Sequence, residues 1–290
     1  MHRTIGHAGA CLAAVLLGAC AKGDQPAAKD TVAAKPAATA LPAAPNIVLV
    51  RAKDFAFEAP DQIPAGMTTF RMINDGPGLH HVQFVRLDSG KTAADFATAM
   101  KAPGEPPHWI VFVGGPNAMA ATGESNATMD MTAGNYVMLC FVDFPDHVPH
   151  FTKGMVKPLT VTPSTTPSAP APTADVVVTL NDYSFTLSTP VSAGKHTFEV
   201  RNTAKQPHEI FIVQLAPGKT AADFKTWLGK MAGPPPGRPV GGTAGMVPGI
   251  SNYFTADITP GNYVLMCFVP DAKDGKPHLE HGMFQEVKVN

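Results

Sequence analysis

Two sets of four residues carry the chemistry of this sequence. Cys140 is followed by His150 and Met155, Cys267 by His278 and Met283, and a further histidine, His80 or His208, lies upstream of each cysteine. A thiolate, two imidazoles and a weakly bound thioether are the donors that hold a copper ion in a trigonal site with a long axial ligand. The sulfur stabilises Cu(I), imidazole tolerates both oxidation states, and a rigid compromise geometry leaves little to rearrange when an electron moves. His81, beside His80, is a second candidate for the first position. His108, His147, His196 and His281 have no counterpart histidine in the other set and are expected at the surface. Tyr136, Tyr263, Phe141 and Phe268 flank the cysteines and are expected in the core rather than as electron relays.

An internal repeat says how these sets are carried. Gly90 to Phe96 (GKTAADF) recurs letter for letter at Gly218 to Phe224, an offset of 128, and Gly134 to Val137 recurs at Gly261 to Val264, an offset of 127. Cys-Phe-Val, Pro-His and Gly-Met recur in register. Such self-similarity marks a duplicated supersecondary unit. The copies span 46–162 and 175–290, each long enough for its own core. Between them, 163–174 (PSTTPSAPAPTA) is a linker of Pro, Ser and Thr with nothing to bury. Its four prolines predict copies that fold largely independently.

Within each copy, short β-branched and aliphatic runs predict strands. These are Ile47 to Val50 and Val176 to Leu180, Thr69 to Ile73 and His196 to Val200, and Val82 to Leu87 and Ile210 to Leu215. Thr92-x-x-Asp95 and Thr220-x-x-Asp223 are capping boxes that open a short helix. A strand then ends at each cysteine, and the last strand starts at each methionine. The pattern predicts an all-β chain of two β-sandwiches, each with one inserted helix.

Each copy resembles a cupredoxin. The residues that carry the resemblance are Asn202 to His208 (NTAKQPH), Gly134-x-Tyr136-x-x-x-Cys140, Gly261-x-Tyr263-x-x-x-Cys267 and the closing His150/Met155 and His278/Met283 pairs. It implies two tandem Greek-key sandwiches, a type 1 copper in each (up to two per chain) and one-electron transfer with a redox protein partner. The ligands it implies are His80, Cys140, His150 and Met155, then His208, Cys267, His278 and Met283. Two features depart from the small members of that family. Nine residues separate Cys140 from His150 and ten separate Cys267 from His278, closer to the longer ligand loops of copper nitrite reductases. The residue after the first ligand, often an Asn that braces the ligand loop, is His81 or Glu209 here.

The N-terminus reads as an address. His2 and Arg3 precede an apolar stretch, Cys11 to Ala19, too short to span a bilayer. Leu17-Gly18-Ala19-Cys20 resembles a bacterial lipobox, which implies a signal peptide over 1–19, acylation at Cys20 and a mature chain tied to a membrane. Residues 20–45 form an Ala/Pro-rich tether. The folded part is thereby expected outside the cytoplasm, in the periplasm or at the cell surface. Removal of the leader leaves Cys140 and Cys267 as thiols with no partner in their own copy; burial as small core residues is the alternative.

Composition excludes other classes. With 22 Lys+Arg against 23 Asp+Glu there is no basic field for nucleic acid, and no internal apolar run is long enough to cross a membrane. An enzyme is not expected, because the chain contains no His-x-His pair and Cys140 and Cys267 are flanked by Leu139, Phe141, Met266 and Phe268 rather than histidine. A copper chaperone or buffer, and a metal-free partner-binding module, stand as alternatives to an electron carrier.

Overall fold

A computed structural model of the chain describes residues 44–88, 90–102, 106–143 and 146–290. The leader, Cys20 and all but the last two residues of the tether lie outside the described residues. Nine strands form in the first half: β1 Asn46–Lys53, β2 Ala56–Glu58, β3 Gln62–Pro64, β4 Gly66–Asn74, β5 Gln83–Leu87, β6 Ile110–Gly114, β7 Glu124–Met131, β8 Gly134–Leu139 and β9 Val156–Thr162. Eight follow in the second half: β10 Val176–Asn181, β11 Ser184–Leu187, β12 Gly194–Asn202, β13 His208–Leu215, β14 Gly237–Met246, β15 Ser251–Ile258, β16 Gly261–Met266 and β17 Phe284–Val289. Short helices α1 (Ala93–Ala99) and α2 (Ala221–Leu228) sit at matching places, each opened by a closed capping box at Thr92/Asp95 or Thr220/Asp223.

Alternation builds the sandwich. Val48, Val50 and Ala52 of β1, and Asn252, Phe254, Ala256 and Ile258 of β15, point inward while their neighbours face out, the period of two that a one-sided strand requires. One core fills the first half, with Phe70, Phe84 and Met138 fully buried among it; another fills the second around Val200, Ile210 and Phe254. β5, β8, β13 and β16 are buried on both faces because the helices cover their outer side. Phe96 packs on Val85, Val137 and Leu139, and Phe224 on Val213, Val264 and Met266.

The halves are not held apart by the linker. One sheet runs β11-β10-β12-β15-β7-β4-β1-β2 and the other β17-β16-β13-β14-β6-β5-β8-β9-β3, so both sheets cross from half to half. The junctions are antiparallel, β15 on β7 with Tyr253 opposite Thr128 and β14 on β6 with Met246 opposite Val113. Asn252 Nδ2 donates to Val113 O at 2.8 Å, and Asn126 exchanges two bonds with the backbone of Thr255 at 2.8 Å each. Gly114 is needed there: its φ is +96° and a Cβ would lie 1.9 Å from Asn252 Nδ2. The linker is also tied down, since Ser168 Oγ accepts from the Met67 N–H at 2.8 Å and Ala169 is buried. This corrects the expectation of largely independent copies. Pairing unmatched strand edges and burying their polar groups joins what the prolines alone would leave separate.

Candidate metal centres

The loops before the first histidines are folded by one asparagine each. Asn74 Nδ2 donates to Gly78 O and Met119 O, at 2.7 Å each, and Asn202 Nδ2 to Gln206 O at 3.0 Å and Met246 O at 2.7 Å. His80 and His208 then enter the interior fully buried. Cys140 and Cys267 follow directly on β8 and β16. The long ligand loops close on themselves. His150 N–H donates to Val142 O at 2.9 Å and Phe151 N–H to Cys140 O at 2.8 Å; His278 N–H donates to Val269 O at 3.0 Å and Leu279 N–H to Cys267 O at 2.9 Å. The extra residue of the second loop is taken up beyond Val269, where Pro270 bridges to Pro277. A 3₁₀ turn carries each histidine and ends at Gly154 or Gly282, whose φ of 109° and 107° suit glycine.

The predicted ligands come together in both halves. Ligand atoms of His80, Cys140 and His150 lie within 4.8 Å of one another, as do those of His208, Cys267 and His278, and all six residues are buried. In the first set, Nδ1 of His150 is 3.1 Å from Nδ1 of His80 and 3.6 Å from Sγ of Cys140. In the second, Sγ of Cys267 is 3.8 Å from Nδ1 of His208 and 3.4 Å from Nδ1 of His278. Donors sharing one ion at bonds of about 2.0–2.3 Å stand about this far apart, so the residues fit a copper ion. Met155 and Met283 are fully buried in the same clusters as their cysteines, and their carbonyls accept the Cys140 and Cys267 N–H at 3.3 and 3.2 Å.

Around each set lies a second layer, partly missed in the sequence. Asp54 Oδ1 is 2.5 Å from His80 Nε2, and Asp182 Oδ1 is 3.1 Å from His208 Nε2. A carboxylate on Nε2 holds the proton there and leaves the Nδ1 lone pair facing the cysteine. Phe55 and Tyr183 sit edge-on to His150 and His278, with ring centroids 5.0 and 5.5 Å apart. Asp54-Phe55 and Asp182-Tyr183 are 128 residues apart, so the repeat offset was the signal that could have found them.

His81 is not a nitrogen donor of the first set. Its ring turns away, and Nε2 accepts the Phe141 N–H at 2.8 Å. Glu209 does the same in the second half, Oε1 accepting the Phe268 N–H at 2.9 Å. The bracing that the resemblance attaches to Asn is thus made by two other side chains. Their own N–H groups point at sulfur, His81 to Cys140 at 3.5 Å and Glu209 to Cys267 at 3.4 Å. His108, His147 and His281 are exposed and His196 is half-buried.

Burial dominates the electrostatics. It pushes the Cys140 thiol up to about 12 against the opposing His81 and Val142 amides, and raises Cys267 further, with Glu209 adding to the effect. It lowers His81 to about 3 and His278 to about 4, and lowers His208 despite the Asp182 hydrogen bond. Glu209 is raised to about 7 by burial. Burial disfavours the thiolate of Cys140 and Cys267; an ion would supply the charge that stabilises it.

No family model and no curated protein matches the chain. Among solved structures it is similar to auracyanin A, a blue copper protein from Chloroflexus aurantiacus, at 20% identity and a TM-score of 0.29, over 41% of this chain and 100% of that one. It is similar to a blue copper oxidase from Nitrosomonas europaea at 16% identity and a TM-score of 0.26, over 85% and 86%. It is also similar to a copper-containing nitrite reductase from Thermus scotoductus at 10% identity and a TM-score of 0.22, over 84% and 61%. The fold is all-β, built on two sheets with two short α-helices against them. The expectation that the chain is not an enzyme is corrected by these neighbours, since an oxidase and a nitrite reductase are enzymes. A fold does not by itself set an activity, so residues flanking a cysteine do not settle catalysis.

Proposed function

We propose that the chain is an extracytoplasmic copper protein that holds one ion in each half and passes single electrons. The observation that supports this best is the twofold convergence of two Nδ1 atoms and one Sγ in buried pockets, each with a carboxylate behind the first imidazole. Copper bound there supplies a one-electron couple.

The chain's own residues do the rest. Asp54 and Asp182 fix the tautomer of His80 and His208. Cys140 and Cys267 provide the soft donor, and the amides of His81 and Glu209 stabilise its negative charge. Met155 and Met283 would add a weak thioether donor to each set. The ladder of loop hydrogen bonds keeps the donors in place through a change of oxidation state, and burial excludes water. The repeat is assigned to a tandem duplication over 46–162 and 175–290, with 163–174 between. Cys20 is assigned as the lipid anchor to a bacterial membrane. Among the described residues no helix is long and apolar enough to cross a membrane. The partner is assigned as a redox protein.

The deciding experiment is metal analysis and a visible spectrum of the copper-loaded, oxidised protein. Two coppers per chain and a strong thiolate-to-copper band near ~600 nm are expected. Less than one copper per chain with no visible band contradicts the assignment.

A further inference from the structure

The two braces behind the cysteines differ in what holds them. In the first half His81 Nε2 accepts the Phe141 N–H, whereas Glu209 is gripped across the junction. Asn117, between β6 and β7 of the first half, donates from Nδ2 to Glu209 Oε2 at 3.2 Å, to Ile210 O at 3.0 Å and to Thr243 O at 3.1 Å. The other carboxylate oxygen of Glu209 accepts the Phe268 N–H, one residue after Cys267. Both residues are buried, at 2% and 7% exposure. Asn117 is locked in turn: its N–H donates to Gly242 O at 3.2 Å, and its Oδ1 accepts the Ala118 N–H at 2.7 Å. With Nδ2 committed to three acceptors and Oδ1 to an amide, the group has one orientation.

Among the described residues no reciprocal arm is present. Asn74 and Asn202 hold the carbonyls of Met119 and Met246, which match at an offset of 127, so the counterpart of Asn117 is Ala244, whose methyl cannot hydrogen-bond back to His81. The neighbouring Gly245 gives its carbonyl to Gln83 Nε2 at 2.8 Å.

We infer that Asn117 of the first half is a positioning residue for the second half's site, setting the Cys267 ligand loop through Glu209, with no matching hydrogen-bonded arm toward His81 among the described residues. This rests on the proposal that the Cys267 set holds copper, but its first test needs no metal.

In the metal-free full chain, Asn117→Ala should speed hydrogen exchange at the Phe268 amide by about tenfold or more and leave the Phe141 amide unchanged. Glu209→Ala, which keeps the bonds of Asn117 to Ile210 and Thr243, should do the same. Glu209→His installs the first half's brace, and Asn117→Ala in that chain should leave Phe268 exchange unchanged. With copper added, Cys140→Ser isolates the second site; there Asn117→Ala should shift the thiolate band and weaken copper retention by about tenfold. In a Cys267→Ser chain it should change neither. Unchanged exchange at Phe268, or equal changes at Phe141 and Phe268, overturns the inference. If the parent chain takes up no copper, the functional proposal fails while the exchange result still decides this one.

Discussion

Nε2 of His80 lies 2.5 Å from Oδ1 of Asp54, and with that contact made Nδ1 of the same imidazole stands 3.1 Å from Nδ1 of His150 in the Cys140 set. Asp54→Ala should free the ring to rotate or change tautomer. Loss of such a partner typically costs 10–100-fold in metal affinity. Chelator competition on a Cys267→Ser chain, which keeps only the first site, measures it, and an unchanged affinity refutes the role. Asp182→Ala should act alike on the second site, with a smaller loss because the contact there is 3.1 Å.

The shared sheets predict cooperative unfolding. Each half has one tryptophan, Trp109 and Trp227, so Trp109→Phe and Trp227→Phe chains report the halves separately. Their fluorescence midpoints in urea should coincide, as two-state behaviour requires. Two separated midpoints would show that the β7–β15 and β6–β14 junctions contribute little.

Gly114 is where the junction is tightest. A Cβ at its φ of +96° would meet Asn252 Nδ2 at 1.9 Å. Gly114→Ala should combine backbone strain with loss of the Asn252–Val113 hydrogen bond, destabilising by about 2–4 kcal/mol. Gly90→Ala, at φ +70° with no atom within 4 Å, should show the strain alone, about 1–3 kcal/mol. Equal losses in urea titrations of the two would deny the clash.

The capping boxes supply a smaller effect. Thr220 Oγ1 accepts the Asp223 N–H at 3.1 Å, and the Asp223 carboxylate accepts the Thr220 N–H at 2.8 Å. Thr220→Ala should cost about 1 kcal/mol, read as a urea midpoint shift without a change in slope.

The cysteines and histidines that cluster, and most strands, were legible because their signals are local in type. A cysteine, a histidine and a methionine at repeated offsets announce donors, and β-branched runs announce strands. The helices were marked by Thr-x-x-Asp. The junction was not legible. β14 reads GRPVGGTAGM and β7 reads ESNATMDM, sequences whose glycines and polar residues suggest loop. They become strands by pairing along their length with β13 and β4 of their own halves, and the other half adds one residue pair to each, Met246 with Val113 and Thr128 with Tyr253. Asp54 was missed for a similar reason: an acid following a strand reads as surface until His80 is seen behind it. Nine and ten residues separate cysteine from histidine, and backbone bonds from His150 to Val142 and from His278 to Val269 close these loops.

The central claim is two equivalent thiolate–copper sites, and the absorbance of cysteine variants tests it most directly. Oxidised, copper-loaded Cys140→Ser should keep about half of the ~600 nm band of the parent, Cys267→Ser the other half, and the double variant none. His150→Ala and His278→Ala should weaken only their own half's share, whereas His108→Ala and His147→Ala should leave the band intact. A band abolished by one cysteine substitution, or untouched by both, contradicts two equivalent sites.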